Sequence, residues 1–235
     1  FDAGPLGYPS IAAHGHADAL SICLAIDGQW WLVDPGTYAY HSEEKWRNYF
    51  RGTAAHNTVV VNNADQSQIG GAFLWLDRAE VSFSGVSVSA ESGIQSCSGQ
   101  ISQYFNAPGV NLARTVSMDA GMRSIRLDDH VSCDSATQVS LSFHFAPSLE
   151  VVISADNVCE ARLPGSDLRM RLSFPAESVV ELYRGSEEPI SGWYSRALGQ
   201  KEPCVTLVAR TELNNGACLS TDIAVLSSTD TVEVR

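Results

Sequence analysis

The chain has 235 residues, of which 44% are hydrophobic and 18% charged, and its formal net charge is −12. This composition is typical of a globular protein with a real core, and the length suits one large all-β domain or two small ones. The acidic balance argues against a nucleic-acid partner, because binding a phosphate backbone requires a basic surface. No apolar run approaches the roughly 18 residues that a membrane-spanning helix needs, so the sequence predicts no membrane span.

The chain does not begin with Met, and its first residues, Phe1 to Gly7, are turn-like. We therefore expect it to be part of a longer protein, in which case a missing signal peptide says nothing about location. The six cysteines are scattered and form no C-x-x-C pair, which argues against zinc-ribbon and thioredoxin-like sites. We expect mostly buried thiols, and one or two disulfides remain an alternative.

Alternation of apolar and polar residues recurs along the chain, each time bounded by Gly, Pro, Asn or Asp. This pattern predicts short strands, at Ser21–Ile26, Thr58–Val61, Glu80–Val88, Thr115–Met118, Arg123–Asp128, Val139–Phe145 and Val205–Arg210. Many short strands at this spacing indicate a β-sandwich or a barrel. We predict an all-β fold, with at most one or two short helical turns.

Two local signals refine this outline. Asp27-Gly28, between Ile26 and Trp30, predicts a tight hairpin, because glycine supplies the positive φ of a primed turn. Ser42 to Phe50 is the one stretch with a helical pattern, and Ser42 is the expected N-cap. We find no repeat and no linker, so the sequence predicts a single domain over residues 1–235.

The residues best suited to chemistry lie in the first quarter of the chain. His14 and His16 are two residues apart, so on a strand both would point to one face, with Asp18 beside them. Asp34 follows an apolar strand and precedes Pro-Gly, and His56 is expected to open the strand that runs to Val61. If His16, Asp34 and His56 converge, two imidazoles and a carboxylate form a good ligand set for Zn²⁺.

Five motifs in this order resemble those of the heparinase II/III-like polysaccharide lyases, a group that includes related alginate lyases. They are His14-Gly-His-Ala-Asp-Ala-Leu-Ser21, Leu32-Val-Asp-Pro-Gly-Thr-Tyr38, Trp46-Arg-Asn-Tyr-Phe-Arg51, Ala55-His-Asn-Thr-Val59 and Gly192-Trp-Tyr-Ser-Arg-Ala-Leu-Gly-Gln-Lys-Glu-Pro203. The similarity is strong at both ends of the chain and weak between about residues 90 and 180. Such linked motifs are more specific than any one alone.

The resemblance implies an antiparallel β-sandwich that follows an N-terminal α/α toroid in the same parent protein. Such enzymes cleave acidic polysaccharides beside a uronic acid by β-elimination, and their toroid supplies the group that neutralises the uronate carboxylate. This chain would then hold half of an active site, and we expect it to fold but to be inactive alone. A periplasmic or secreted location in a bacterium is the matching expectation.

By resemblance, Tyr40 is the proton-transfer residue and His14 faces the substrate. Tyr38 is the fallback for Tyr40 and a candidate for substrate binding, since two residues apart on a strand lie on the same side.

His16, Asp34 and His56 resemble the ligands of a structural zinc ion. Arg47 and Arg51 are candidates to bind a uronate carboxylate or a sulfate in fork geometry. The alternative is that both arginines form salt bridges with Glu43, Glu44 or Asp65.

Two other classes remain as alternatives. A cupin-type metalloenzyme shares the His-x-His and Pro-Gly signals, but a glutamate near His16 is missing and the Pro-Gly spacing differs. A non-catalytic module that binds glycan or acts as a scaffold would use exposed tryptophans as sugar platforms, chosen from Trp30, Trp31, Trp46, Trp75 and Trp193. His144, which alternates with aromatic residues, is expected to be a satisfied histidine on a sheet face.

Overall fold

The computed structural model describes residues 1–7 and 10–227. Within these ranges the chain forms one α-helix, α1 (Glu44–Arg51), one 3-10 turn (Thr53–Ala55) and twenty strands. The strands are β1 (Leu24–Ile26), β2 (Gln29–Leu32), β3 (Val59–Val61), β4 (Gln68–Gly71), β5 (Leu74–Asp77), β6 (Glu80–Val88), β7 (Gln95–Gln103), β8 (Asn111–Asp119), β9 (Ser124–Ser132), β10 (Thr137–His144), β11 (Glu150–Ala155), β12 (Val158–Arg162), β13 (Arg169–Ser173), β14 (Val179–Arg184), β15 (Ser186–Glu187), β16 (Ile190–Ser191), β17 (Trp193–Ala197), β18 (Gln200–Pro203), β19 (Val205–Leu213) and β20 (Ala217–Leu226).

Two antiparallel sheets form the body of the fold. A four-stranded sheet has the order β14-β19-β10-β3, and an eight-stranded sheet has the order β11-β12-β13-β20-β9-β8-β7-β6. Four hairpins accompany them, namely β1–β2, β4–β5, β15–β16 and β17–β18. The prediction of an all-β sandwich with little helix is therefore confirmed.

The core lies between the two sheets. Leu141 and Phe143 of β10 belong to the same buried cluster as Leu127 of β9 and Ile223 of β20. Alternate residues of each strand supply these side chains, as the period of two requires. Each fully buried side chain of this size stabilises the fold by about 1.5–3 kcal/mol relative to an exposed one. Apolar burial therefore holds the two sheets together.

The strand predictions hold in position and differ at the ends. β6 has the predicted bounds, whereas β1 is limited to Leu24–Ile26 because the residues before it form a loop. Asp27 and Gly28 join β1 to β2 with φ values of 49° and 77°. Positive φ at both central residues is the geometry of a type I′ turn, so the hairpin prediction is confirmed.

The predicted helix is present, but its expected N-cap is wrong. α1 begins at Glu44, and the capping position belongs to Glu43, which is left-handed at φ 55° and makes no side-chain capping bond. Ser42 lies one residue too early to cap. The helix is instead held by its buried face, which includes Trp46 and Phe50.

All six cysteines are free thiols, and Cys133, Cys159 and Cys204 are buried. The expectation of mostly buried thiols holds for these three, whereas Cys97 is partly buried and Cys23 and Cys218 are exposed.

In the part of the chain that the structure describes, no helix combines the length and the apolar character that a bilayer crossing demands.

His144 is fully buried on β10, and both of its ring nitrogens have partners. Its Nδ1 is 2.8 Å from the Thr206 hydroxyl, and its Nε2 is 3.2 Å from the carbonyl oxygen of Ala54. The imidazole is therefore neutral, with Nε2–H donating to Ala54 and Thr206 donating to Nδ1. Burial lowers the pKa of His144 to about 3. This is the satisfied sheet histidine that the sequence predicted.

We predict that His144 contributes to loss of stability in acid. Its pKa is about 3 in the folded chain against 6.5 when exposed, so as pH falls below 6.5 the unfolded chain takes up a proton that the native chain does not. The free energy of unfolding should then decrease as pH falls from about 6.5 to 3. His144→Gln should be less stable near neutral pH, and its stability should depend less on pH over this window. Urea unfolding near pH 7 and about pH 5 measures both quantities. An unchanged pH dependence in the variant would contradict the assignment.

Candidate functional site

Four side chains that could hold a metal ion converge in the structure. One ligand atom from each of His16, Asp18, Asp34 and His56 lies within 4.8 Å of the other three. The Nδ1 of His16 is 3.2 Å from the Nε2 of His56, and Oδ2 of Asp34 is 3.4 Å from the same Nε2. The sequence predicted three of these residues as a ligand set, and the structure brings those three together with Asp18.

The supporting backbone differs from the prediction. Residues 14–18 form a loop with no strand, so the expected common strand face of His14 and His16 is wrong. His56 ends the 3-10 turn and does not open β3, which begins at Val59. Asp34 does follow β2, as expected. The cluster is thus built from loops and turns rather than from neighbouring strand positions.

The side chain of Asn57 joins the three segments that carry the cluster. Its Nδ2 donates to the carbonyl oxygens of Ile22 at 2.7 Å and Val33 at 2.9 Å. Its Oδ1 accepts the backbone N–H of His144 at 2.6 Å. Asn57 directly follows His56, and Val33 directly precedes Asp34. One buried amide therefore fixes the relative positions of the ligand-bearing segments.

A buried ion pair anchors the same region from the eight-stranded sheet. Arg114 of β8 and Asp129 of β9 form a bidentate pair at 2.7 and 2.9 Å, and both are buried. The Nη1 of Arg114 also donates to the carbonyl oxygens of Leu20 and Asn57, both at 2.8 Å. A buried charge needs such complete pairing to be tolerated. The large sheet thereby holds two of the site segments directly.

Burial sets the charge states in the cluster. It is the largest cause that lowers the pKa of His16 to about 2, and His56 adds to the effect. His16 is therefore a neutral imidazole with a free lone pair, the form that binds a metal. Burial also raises the pKa of Asp18 to about 6, against the opposing influence of His56. A cation in the cluster would favour the ionised form of this carboxyl.

The donor geometry fits a small divalent metal. The Nδ1 of His56 is 2.8 Å from the carbonyl oxygen of Gly52 and donates to it, which leaves Nε2 as the ligand atom. Such a second bond is the usual way to fix a liganding histidine. Two nitrogens bound tetrahedrally to zinc lie about 3.3 Å apart, close to the 3.2 Å between His16 and His56. The spacing of these two nitrogens is therefore compatible with a shared divalent ion such as zinc.

A second group of side chains surrounds Tyr40. Its ring meets the ring of His14 edge-on, with centroids 5.1 Å apart. The guanidinium carbon of Arg47 lies 5.4 Å from the centre of the Tyr40 ring. Tyr40 is half-buried and His14 is exposed. The two predicted catalytic side chains are therefore in contact, with a cation next to the tyrosine.

Tyr38 does not share this position, so the expectation that Tyr38 and Tyr40 point to the same side is wrong. The segment is not a strand, and Tyr38 has a φ of 59°. Its ring packs on Trp46 and Phe50, and its hydroxyl donates to Glu43 at 2.8 Å. That hydrogen bond is the largest cause raising the pKa of Tyr38. The geometry therefore favours Tyr40 as the tyrosine open to chemistry.

Lys201, in the motif from Gly192 to Pro203, packs against the segment that carries Tyr38. Its ammonium nitrogen lies 4.8 Å from the ring centre of Tyr38, 4.1 Å from that of Trp46 and 5.2 Å from that of Trp193. The backbone N–H of Gly199 donates to the carbonyl oxygen of Tyr38 at 2.8 Å. The hairpin β17–β18 thus closes over the chain that leads from Asp34 to Tyr40.

Arg47 and Arg51 are buried, at 1% and 0% exposure, and they donate to backbone carbonyls and to the side-chain amide oxygen of Asn48. Both guanidinium groups donate to Ala72, and Arg51 also donates to Gly71 at 2.7 Å. Neither forms the salt bridge with Glu43, Glu44 or Asp65 that the sequence left open. Burial lowers the pKa of Arg51 to about 10. Substrate binding by these arginines remains a prediction, and the burial of both side chains disfavours it.

A cleft of about 360 Å³ lies beside the possible metal ligands, and one member of the Tyr40 group, His14, also lines it. His14 lines it together with His16, Asp18 and Asp34, and the N-terminal residues around Leu6 form another wall. His14, the predicted substrate-facing residue, and three of the four possible metal ligands therefore line one cavity.

The family model for the heparinase II/III-like C-terminal domain matches residues 1–224. The chain belongs to this family. No curated protein matches the chain in sequence.

Solved lyases share the fold. The heparan sulfate lyase HepC from Pedobacter heparinus superimposes with a TM-score of 0.76 at 13% identity, over 93% of this chain and 32% of that one. The heparinase III BT4657 gene product gives a TM-score of 0.74 at 19% identity, over 97% of this chain and 32% of that one. The chain thus spans about a third of the length of these structures.

We predict that the cation–π contacts of Lys201 stabilise the fold. Lys201→Gln should lower the free energy of unfolding by about 1–2 kcal/mol, the range for a partly desolvated cation over aromatic rings. Lys201→Arg, which keeps the charge, should lose less. Lys45→Gln, at the other lysine of the sequence, is the control, since Lys45 is exposed and donates to the Glu187 carbonyl. Denaturant unfolding compares the three variants. Equal losses at both lysines would contradict the assignment.

Proposed function

We propose that this chain is the C-terminal part of a polysaccharide lyase that cleaves uronic-acid glycans by β-elimination. The observation that carries the proposal is the contact of Tyr40 with His14, a residue that lines the cleft, with the Arg47 guanidinium beside the tyrosine ring. Membership of the heparinase II/III-like family supports the reaction class. The substrate would be an acidic polysaccharide or oligosaccharide.

β-Elimination requires a base that removes the C5 proton of the uronate and an acid that protonates the departing O4 oxygen. In our proposal the hydroxyl of Tyr40 transfers the proton, and His14 faces the sugar beside it. Arg47 places a positive charge where it stabilises negative charge on the tyrosine during transfer. Tyr38 has no comparable freedom, because Glu43 accepts its hydroxyl hydrogen.

We further propose that the metal cluster holds a structural zinc ion. His16, Asp34 and His56 would be its ligands, with Asp18 a fourth donor in reach. When bound, zinc supplies a cross-link among three loops and no proton-transfer group. The ligand residues of this chain would hold those loops in place. The loop that carries Asp34 continues directly to Tyr40, so holding it would also position Tyr40.

The structure describes one part of the proposed active site. The group that neutralises the uronate carboxylate would come from an N-terminal toroid of the same parent protein. The net charge of this chain is −12, whereas an anionic substrate needs positive charge. In our proposal the toroid would supply positive charge in addition to that of Arg47. A periplasmic or secreted location is part of the proposal.

The two alternative functions have less support. A cupin-type site would need a glutamate near His16, which the sequence lacks, and the family model that matches residues 1–224 is the heparinase II/III-like domain. A glycan-binding module would present several tryptophans, but Trp31, Trp46 and Trp75 are buried and Trp30 is the one that is 58% exposed.

We predict that His56→Ala loses the metal. The variant removes a ligand at the centre of the cluster, so elemental analysis of the purified protein should show loss of zinc and a lower melting temperature. His130→Ala is the matched control, because His130 is exposed on β9 and lies outside the cluster. Full zinc content in His56→Ala would refute the ligand assignment.

We predict that Tyr40→Phe in the full-length protein lowers turnover by about 10²–10⁴-fold, the usual contribution of a positioned acid or base. Substrate affinity should change little, because the ring remains. Ultraviolet absorbance of the unsaturated uronate product measures the rate. Tyr38→Phe is the control and should keep nearly full turnover. If Tyr38→Phe is instead the inactive variant, the assignment is reversed. If both variants are active, the catalytic hydroxyl lies outside this chain.

A further inference from the structure

Phe73 lies at the tip of the β4–β5 hairpin, beside the candidate catalytic residues. Its ring centroid is 6.0 Å from that of His14 and 6.1 Å from that of Tyr40. The interplanar angles are 68° and 35°, so the three rings form one packed group. Phe73 nevertheless remains 41% exposed. A large apolar surface is therefore presented to solvent next to the proposed site of proton transfer.

The tip that carries Phe73 is held from inside the protein. Ala72, its neighbour, accepts hydrogen bonds at 3.2 Å from Nε of Arg47 and at 3.2 Å from Nη1 of Arg51. Arg51 also stacks on the ring of Trp75, 4.9 Å from its centroid. Two buried cations on one carbonyl fix a turn that would otherwise be mobile.

The hairpin sequence is adapted to this tight approach. A side chain at Gly70 would place its Cβ 2.6 Å from Cγ of Leu76. Gly71 has a φ of +145°, which residues with a side chain rarely adopt. The two glycines allow a two-residue turn, Ala72–Phe73, that aims the phenylalanine toward His14 and Tyr40. The position of Phe73 is therefore built by both the backbone and the buried arginines.

We propose that Phe73 is a substrate-positioning residue on which a sugar ring of the glycan stacks. The face of an aromatic ring carries negative charge, so it attracts the C–H groups that line one face of a pyranose. The sugar that stacks there would lie against Tyr40 and His14, which places it next to the bond that is cleaved. This role rests on the proposed lyase function and names one of its substrate contacts.

The test compares Phe73→Leu and Phe73→Trp with wild type in the full-length protein, using uronate oligosaccharides as substrate. Phe73→Leu keeps apolar volume but loses the ring face, so KM should rise about 3- to 10-fold, the effect of one lost aromatic contact. The kcat should stay near the wild-type value, since the proton-transfer group is intact. Phe73→Trp should restore a KM close to wild type. Phe83→Leu is the matched control, because Phe83 is 53% exposed on β6.

The outcomes separate this proposal from the lyase function. If wild type forms the unsaturated product and Phe73→Leu has an unchanged KM, the stacking role is refuted and the function stands. A fall in kcat at constant KM also refutes stacking. If wild type forms no product, the lyase function fails, and equilibrium binding of the same oligosaccharides decides on Phe73. Weaker binding by Phe73→Leu than by Phe83→Leu then supports stacking, and equal binding overturns it.

Discussion

The hydrogen bonds of Asn57 hold the candidate site together. Its amide nitrogen binds the carbonyls of Ile22 and Val33, and its amide oxygen binds the N–H of His144. Each such bond adds about 1 kcal/mol, but leaving buried partners unsatisfied costs about 1–3 kcal/mol each. Because Asn57 is 1% exposed, its hydrogen bonds are shielded from bulk water. The loops that carry His16, Asp34 and His56 therefore have one relative arrangement.

This constraint connects the core to the chemistry. The sandwich is stabilised by apolar burial, and Arg114 extends it into the site through the carbonyls of Leu20 and Asn57. The metal cluster and Tyr40 lie on irregular backbone, where side chains would otherwise be mobile. Lys201 contacts the Tyr38 ring in this segment, and Arg47 donates to the carbonyl of Ala13 next to His14. The site is thus preorganised by polar contacts, and the sheets serve as its rigid support.

The sequence predicted the fold class and three metal-cluster residues, because strand alternation and ligand chemistry are local signals. It failed where backbone conformation depends on distant contacts. Tyr38 and Tyr40 separate because Tyr38 takes a positive φ and packs on α1, which spacing cannot reveal. The sequence did not identify Phe73 as a site residue, because its position beside His14 and Tyr40 depends on long-range packing. The Gly70-Gly71 pair before it is a local signal only for a tight turn. The predictions of one domain and of the individual site roles await experiment.

The zinc affinity of Asn57→Ala tests the central claim most directly. Asn57 binds no metal, so its effect on affinity must pass through the loops that it joins. Competition with a chromophoric chelator, on variant protein that retains wild-type circular dichroism, should show affinity about 10- to 100-fold weaker than wild type, as for other outer-shell partners of metal sites. Unchanged affinity in a folded variant would show that the three ligand segments keep their arrangement without Asn57, and would contradict the account.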